Sequence, residues 1–92
     1  MGGFFGNPEP EMLVRWYQIG TFSPFFRAHA HIDTKRREPY LFDEPIRGYI
    51  RDAIRLRYQI LPTMYTAFYE TAETGVPILR CVSHGGPASS AL

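Results

Sequence analysis

The chain predicts an α/β fold, and two observations carry that prediction. Apolar residues recur every three or four positions from Met12 to Tyr17, every second position from Phe26 to Ile32, and every three or four again from Ile46 to Tyr69. Helix, strand and helix therefore alternate, and Val76-Pro77-Ile78-Leu79-Arg80 reads as the start of another strand. Such alternation belongs to parallel sheets covered by helices.

Asn7-Pro8-Glu9-Pro10-Glu11 reads as a helix start, with Asn7 as the cap, prolines in the first turn and acids at the positive end of the dipole. Met12, Leu13, Trp16 and Tyr17 form its apolar stripe, Glu11 and Arg15 pair at i,i+4, and Gly20 offers a left-handed stop. A helix from about Pro8 to Ile19 is expected. From Pro24 the period becomes 2: Phe26, Ala28, Ala30 and Ile32 share one face, and Phe25, Arg27, His29, His31 and Asp33 the other. Thr34 to Pro39 is a charged loop, and Asp43-Glu44-Pro45 opens a second helix. Ile46, Tyr49, Ile50, Ala53, Ile54, Leu61, Met64, Tyr65, Phe68 and Tyr69 form its stripe. Arg47, Arg51 and Arg55 line the polar side at i+4 spacing and call for acidic partners. Pro62 predicts a kink near Tyr58, and Gly75 a stop.

Composition narrows the function. The 92 residues carry a formal net charge of +1 and are 45% hydrophobic, which argues against a polybasic nucleic-acid or membrane-surface protein and against disorder throughout. No apolar run approaches the roughly 18 residues of a membrane span. Met1-Gly2-Gly3-Phe4-Phe5-Gly6 lacks the basic and apolar regions of a signal peptide. Cys81, the single cysteine, has no partner for an internal disulfide. One complete strand makes no sheet, so the apolar stripes ask for partners beyond this sequence. The chain reads as a piece of a larger domain.

Specific blocks then carry a resemblance. Gly2-Gly3-Phe4-Phe5-Gly6-Asn7-Pro8-Glu9-Pro10-Glu11, Val14-Arg15-Trp16-Tyr17-Gln18, Pro24-Phe25-Phe26-Arg27-Ala28-His29-Ala30-His31 and Arg36-Arg37-Glu38-Pro39 resemble glycoside hydrolase family 31. So do Ile50-Arg51-Asp52-Ala53, Arg57-Tyr58, Leu61-Pro62, Tyr65 and Gly75-Val76-Pro77-Ile78-Leu79-Arg80. The resemblance implies a fragment of a (β/α)8 TIM barrel, its seventh and eighth strand–helix units. Gly2 to Phe4 would end the seventh strand, Phe25 to His31 would be the eighth, Ile46 to Thr74 the last helical layer, and Val76 onward would lead into a β-sandwich. Residues 1–80 are then a partial barrel domain. Residues 81–92, free of Asp, Glu, Lys and Arg, are expected to be an unstructured, divergent tail.

The resemblance further implies a retaining α-glucosidase that hydrolyses terminal α-linked glucose, on N-glycans in the endoplasmic reticulum lumen, beside a non-catalytic β subunit. The family's nucleophile and acid/base aspartates lie upstream of the matching blocks, and a sugar-binding aspartate precedes the position of Met1. With no catalytic residue in this sequence, the chain alone is expected to be inactive; a truncated or mis-spliced reading frame is the expected reason for both ends. The other reading is a non-catalytic interaction module that docks through exposed helix stripes.

Within the family pattern, His29 implies a hydrogen bond to a glucose hydroxyl, against the plainer reading of a histidine on a solvated face. Phe4 implies an apolar wall of the sugar pocket, and reads equally as core. Arg27 implies a supporting ion pair, and reads equally as a surface arginine; Asp33 is expected to cap a loop. His29-x-His31 is a weak metal pair, because zinc needs at least three protein ligands and only Asp33 or His84 offers a third. No metal, cofactor or nucleic acid is expected. The Arg47, Arg51 and Arg55 row reads as a charged outer helix face rather than a phosphate strip.

Overall fold

The structure is a computed structural model that describes residues 1–80. It contains two helices, α1 (Pro10–Gly20) and α2 (Ile46–Thr74), with a short 3-10 turn at Pro39–Leu41 between them. Two compact units divide at Ile60 and Leu61, so that α2 contributes to both.

In the first unit α1 starts two residues later than the sequence suggests, at Pro10. Asn7 is not its cap. The Asn7 side-chain oxygen accepts the Lys35 N–H at 2.7 Å, and Glu9 occupies the cap position with no side-chain bond to the helix. Pro10 has no N–H to satisfy, which lowers the demand for a cap, and Glu11 faces the positive end of the dipole. The expected Glu11–Arg15 pair forms at 2.7 Å on the solvent side.

Gly20 ends α1 for a different reason from the one its type suggests. It lies inside the helix and Thr21 caps it in a right-handed conformation. A Cβ at Gly20 would lie 2.6 Å from Met1 Sδ and 3.2 Å from a Phe26 ring carbon, so glycine here allows close approach. Thr21 Oγ1 donates to Tyr17 O at 2.9 Å and lies 3.1 Å from Ala53 O, which ties the end of α1 to α2.

Leu13, Val14 and Tyr17 of α1 meet Ile50 and Ala53 of α2, with Met1, Phe26, Phe42, Ile46 and Ile54 packed around them. Leu13 and Ile50 are fully buried, each worth about 1.5–3 kcal/mol of transfer free energy. The acids that the arginine row requires are Glu44, near Arg47 and Arg51, and Asp52, near Arg51 and Arg55. These pairs are half exposed and contribute under about 1 kcal/mol each.

In the second unit α2 runs on past Pro62 to Thr74, without a break. Met64 is buried, whereas Tyr65, Phe68 and Tyr69 of the same stripe are exposed. Gly75 ends the helix as expected, at a φ of 76° and with its N–H on Thr71 O at 2.8 Å. Beyond it Thr71 Oγ1 lies 2.6 Å from Val76 O, and Arg80 bonds Glu70 at 2.7 Å and Pro77 O at 2.8 Å. Among the described residues no helix is long and apolar enough to cross a membrane.

The expected strands are corrected. Among the described residues no segment forms a strand, neither Gly2–Phe4, nor Phe25–His31, nor Val76–Arg80. Phe25 to His31 is irregular backbone whose one bond from a main-chain N–H to another segment is His31 N–H to Phe4 O, 2.8 Å. A strand is defined by a ladder, and a ladder needs neighbours. The alternating faces are also incomplete: Phe26 reaches the core, but Ala28 and Ile32 are exposed. Val76 to Arg80 is held in a turn by the Arg80 side chain. The expected tail, Cys81 to Leu92, lies outside the described residues, as does His84.

Candidate functional site

The site is built on two segments that converge at one bond. The Gly2–Gly6 loop adopts left-handed φ values at Gly2, Gly3 and Gly6, which side chains with a Cβ disfavour. Its curl is held by Arg37, whose Nη1 donates to Gly3 O at 2.9 Å and whose Nη2 donates to Gly6 O at 2.7 Å. The guanidinium is buried, and a Cβ on Gly2 would sit 3.0 Å from Arg37 Nη1 and from Leu13 Cδ1. The loop thus presents Phe4 and Phe5, rings edge to face at 4.8 Å. The second segment, Arg27 to Asp33, is pinned to the first by the His31 N–H on Phe4 O.

Four rings meet there. His29 lies 5.4 Å from Phe4, tilted by 33°; His31 stands edge-on to Phe4 at 5.5 Å and lies 5.3 Å from Phe5. Arg27 Nη2 is 3.3 Å from His29 Nδ1. A guanidinium only donates, so in the neutral ring Nδ1 accepts and the proton belongs on Nε2. His29 thereby offers a donor at its far nitrogen. His31 is engaged otherwise: its Nδ1 accepts the Asp33 N–H at 3.3 Å and lies 3.4 Å from Asp33 Oδ2.

Of the residues singled out from the sequence, Phe4, His29 and Arg27 come together. Asp33 stays with His31 in the loop. No group of three potential metal ligands exists among the described residues, so His29 and His31 find no third ligand in Asp33. Beside the rings lies a groove of about 320 Å³, lined by Tyr17, His29, His31, Arg37 and Glu38 among others. Burial and the nearby Glu38 push the Tyr17 phenol above its ordinary value. Arg36 binds Glu38 at 2.8 Å and holds its carboxyl below the usual carboxylate range, so this acid is committed to an ion pair.

Two arginines of the family blocks carry no role in the sequence reading. Arg37 sits in a run of charges and reads as solvated, yet it is buried and carries the loop of Phe4. Arg57 is buried too. It donates to Thr21 O at 2.9 Å, to Pro24 O at 3.0 Å and to Ser23 O, with its guanidinium carbon 5.5 Å from the Phe26 ring centre. A signal for it existed: Arg57 stands where the stripe of Ile50, Ala53 and Met64 demands an apolar residue. A charge at a core position calls for buried acceptors.

The arrangement offers an apolar ring face, a fixed imidazole donor and a cation, a set suited to the mixed apolar and hydroxylated surface of a sugar. Residues 1–67 match the glycosyl hydrolases family 31 TIM-barrel domain. The glucosidase 2 subunit alpha of Saccharomyces cerevisiae is 60% identical over 80 residues, which is 87% of this chain and 8% of that protein. Human neutral alpha-glucosidase AB is 56% identical over 80 residues, again 87% of this chain and 8% of that protein. The crystal structure of a glucosidase II alpha subunit in its Glc1Man2-bound form superposes with a TM-score of 0.87 at 54% identity, covering 98% of this chain and 10% of that one. The chain therefore spans about a tenth or less of the length of these relatives.

Proposed function

This chain belongs to glycosyl hydrolase family 31, and on that footing we propose that it forms one wall of the glucose pocket in a retaining α-glucosidase. The observation that supports this reading is the Phe4–His29 pair, 5.4 Å apart, with Arg27 on His29 Nδ1. Phe4 packs on the apolar face of the glucose ring while His29 Nε2–H donates to a hydroxyl. Arg27 keeps the tautomer and also pairs with a carboxylate elsewhere in the protein.

The bond cleavage itself belongs to other parts of the protein. Retention needs two carboxyls about 5–5.5 Å apart, one attacking the anomeric carbon and one protonating the leaving oxygen. Near the rings the Asp33 carboxylate lies 3.4 Å from His31 Nδ1 and Glu38 is bound to Arg36. Residues 1–80 are then part of the barrel domain, with Gly2–Phe4 and Phe25–His31 completed as its seventh and eighth strands by neighbouring strands, and Val76 leading toward a β-sandwich. As the family resemblance implies, the substrate is terminal α-linked glucose on N-glycans, the compartment is the endoplasmic reticulum lumen and the partner is a non-catalytic β subunit. The solved heterodimer of a related catalytic subunit with the binding domain of its regulatory subunit, 55% identical to this chain, supports that partner.

The test is a graft: residues 1–80 replace the matching segment of a full-length α-glucosidase of the family. Hydrolysis of p-nitrophenyl α-glucoside within about tenfold of the host is the expected result. A folded but inactive graft overturns the proposal. The exposed Tyr65, Phe68 and Tyr69 favour the second reading, an interaction module. In that case the free chain is monodisperse and folds cooperatively by itself.

A further inference from the structure

We propose that Arg57 is a positioning residue for His29, an inference that rests on the glucose-pocket reading above. Its guanidinium reaches three successive parts of one turn: Thr21 O at the end of α1, then Ser23 O, then Pro24 O. It also lies over the ring of Phe26, the residue just before Arg27. Every hydrogen bond described goes from the α2 side chain to main-chain oxygen.

The placement matters because this turn feeds directly into the run that carries Arg27 and His29. Between Pro24 and His31 there is no ladder among the described residues. The run is held by Arg57 at Pro24, by the Met1 amine on Arg27 O at 2.7 Å and by the His31 N–H on Phe4 O. His29 follows the first two of these anchors and precedes the third. A planar fork suits the first anchor, because two carbonyls take one nitrogen and the third takes the other. The carbonyl end of α1 favours a cation there as well. Loosening this anchor leaves Arg27 and His29 in the sequence but shifts them against Phe4. Displacements of about 1 Å cost on the order of 10²-fold in rate.

The experiment is a double-mutant cycle in the grafted enzyme, reading kcat and KM separately with p-nitrophenyl α-glucoside and Tm alongside. Arg57→Ala, His29→Ala and the double variant form the cycle, and Met64→Ala, buried on the same helix, serves as the stability control. Arg57→Ala is expected to lower kcat/KM by about 10²-fold. The double variant should be no worse than His29→Ala alone, within about threefold, while Met64→Ala lowers Tm and leaves kcat/KM near that of the graft. If Arg57→Ala does not fold, Arg57→Lys takes its place, with a smaller loss and the same lack of additivity. Losses that multiply in the double variant would overturn the inference and leave His29 in its role. An unimpaired Arg57→Ala beside a crippled His29→Ala would do the same. An unimpaired His29→Ala would overturn the pocket reading, and this inference with it.

Discussion

The helical pair and the run from Phe25 to His31 meet the needs of their backbones in opposite ways. α1 and the first half of α2 satisfy their amides internally and bury Leu13 and Ile50 completely between them. The run satisfies almost nothing by itself: its neighbours are one Phe4 carbonyl, the N-terminal amine on Arg27 O, and a guanidinium behind Pro24. Yet the run carries His29, and the helices carry only what props it up. On the glucose-pocket proposal, stability and chemistry are thus placed on different stretches of the chain. Local interactions build the first, and the second is borrowed from whatever lies alongside.

Four outcomes would sharpen or break that division. The largest effect belongs to Leu13→Ala, which should cost about 3–5 kcal/mol of stability in the graft and leave KM unchanged in the molecules that remain folded. Urea denaturation checks it, and a loss under about 1 kcal/mol would mean that the helical pair is not the scaffold. Next comes His29→Ala, with kcat/KM down by about 10²-fold, or roughly 2.7 kcal/mol, at an unchanged Tm. His31→Ala should cost less, since its Nδ1 serves the Asp33 loop; the reverse order would assign the site to the wrong histidine. Gly2→Ala should cost about 1–2 kcal/mol through its left-handed backbone alone, and more from the crowding against Arg37. Thermal melts beside Gly3→Ala, whose Cβ meets only backbone at 3.6 Å, separate the two causes.

The smallest effect is one of pH. The folded chain holds the Tyr17 phenol neutral above its ordinary value of 10.0, because of burial first and Glu38 second. A raised phenol contributes stability that is fully present below that ordinary value and is lost as pH rises through the folded one. The urea midpoint of the graft should therefore fall more steeply above pH 10 than that of Tyr17→Phe. Parallel curves would show that Tyr17 is not part of the buried pair.

Much of the division could be read in advance, and the exceptions share a cause. Periodicity found α2 at Ile46–Thr74 and located α1 to within two residues, because helices depend on local spacing. The same method gave the strand face of His29 and Arg27 but promised a strand that the described residues do not form. A ladder depends on neighbours that no local pattern contains. Phe4, His29 and Arg27 lie together in the structure. Arg37 and Arg57 were missed because charge normally means solvent, and only the three-dimensional structure shows the carbonyls that receive them. Asn7 failed as a cap for a related reason: its side chain found Lys35, 28 residues away.

The end of α2 has a consequence in handedness. At Gly75 nothing lies within 4 Å of a would-be Cβ, so volume plays no part in the choice of residue. Only the sign of φ does. L-alanine there is strained by about 1–2 kcal/mol, whereas its mirror image, D-alanine, sits at ease with a φ of 76°. Because a D residue also narrows the freedom of the unfolded chain, it should hold the helix terminus better than the glycine that nature uses. The stop after Thr74 is a matter of chirality, set by a backbone that ribosomal amino acids other than glycine reach only under strain.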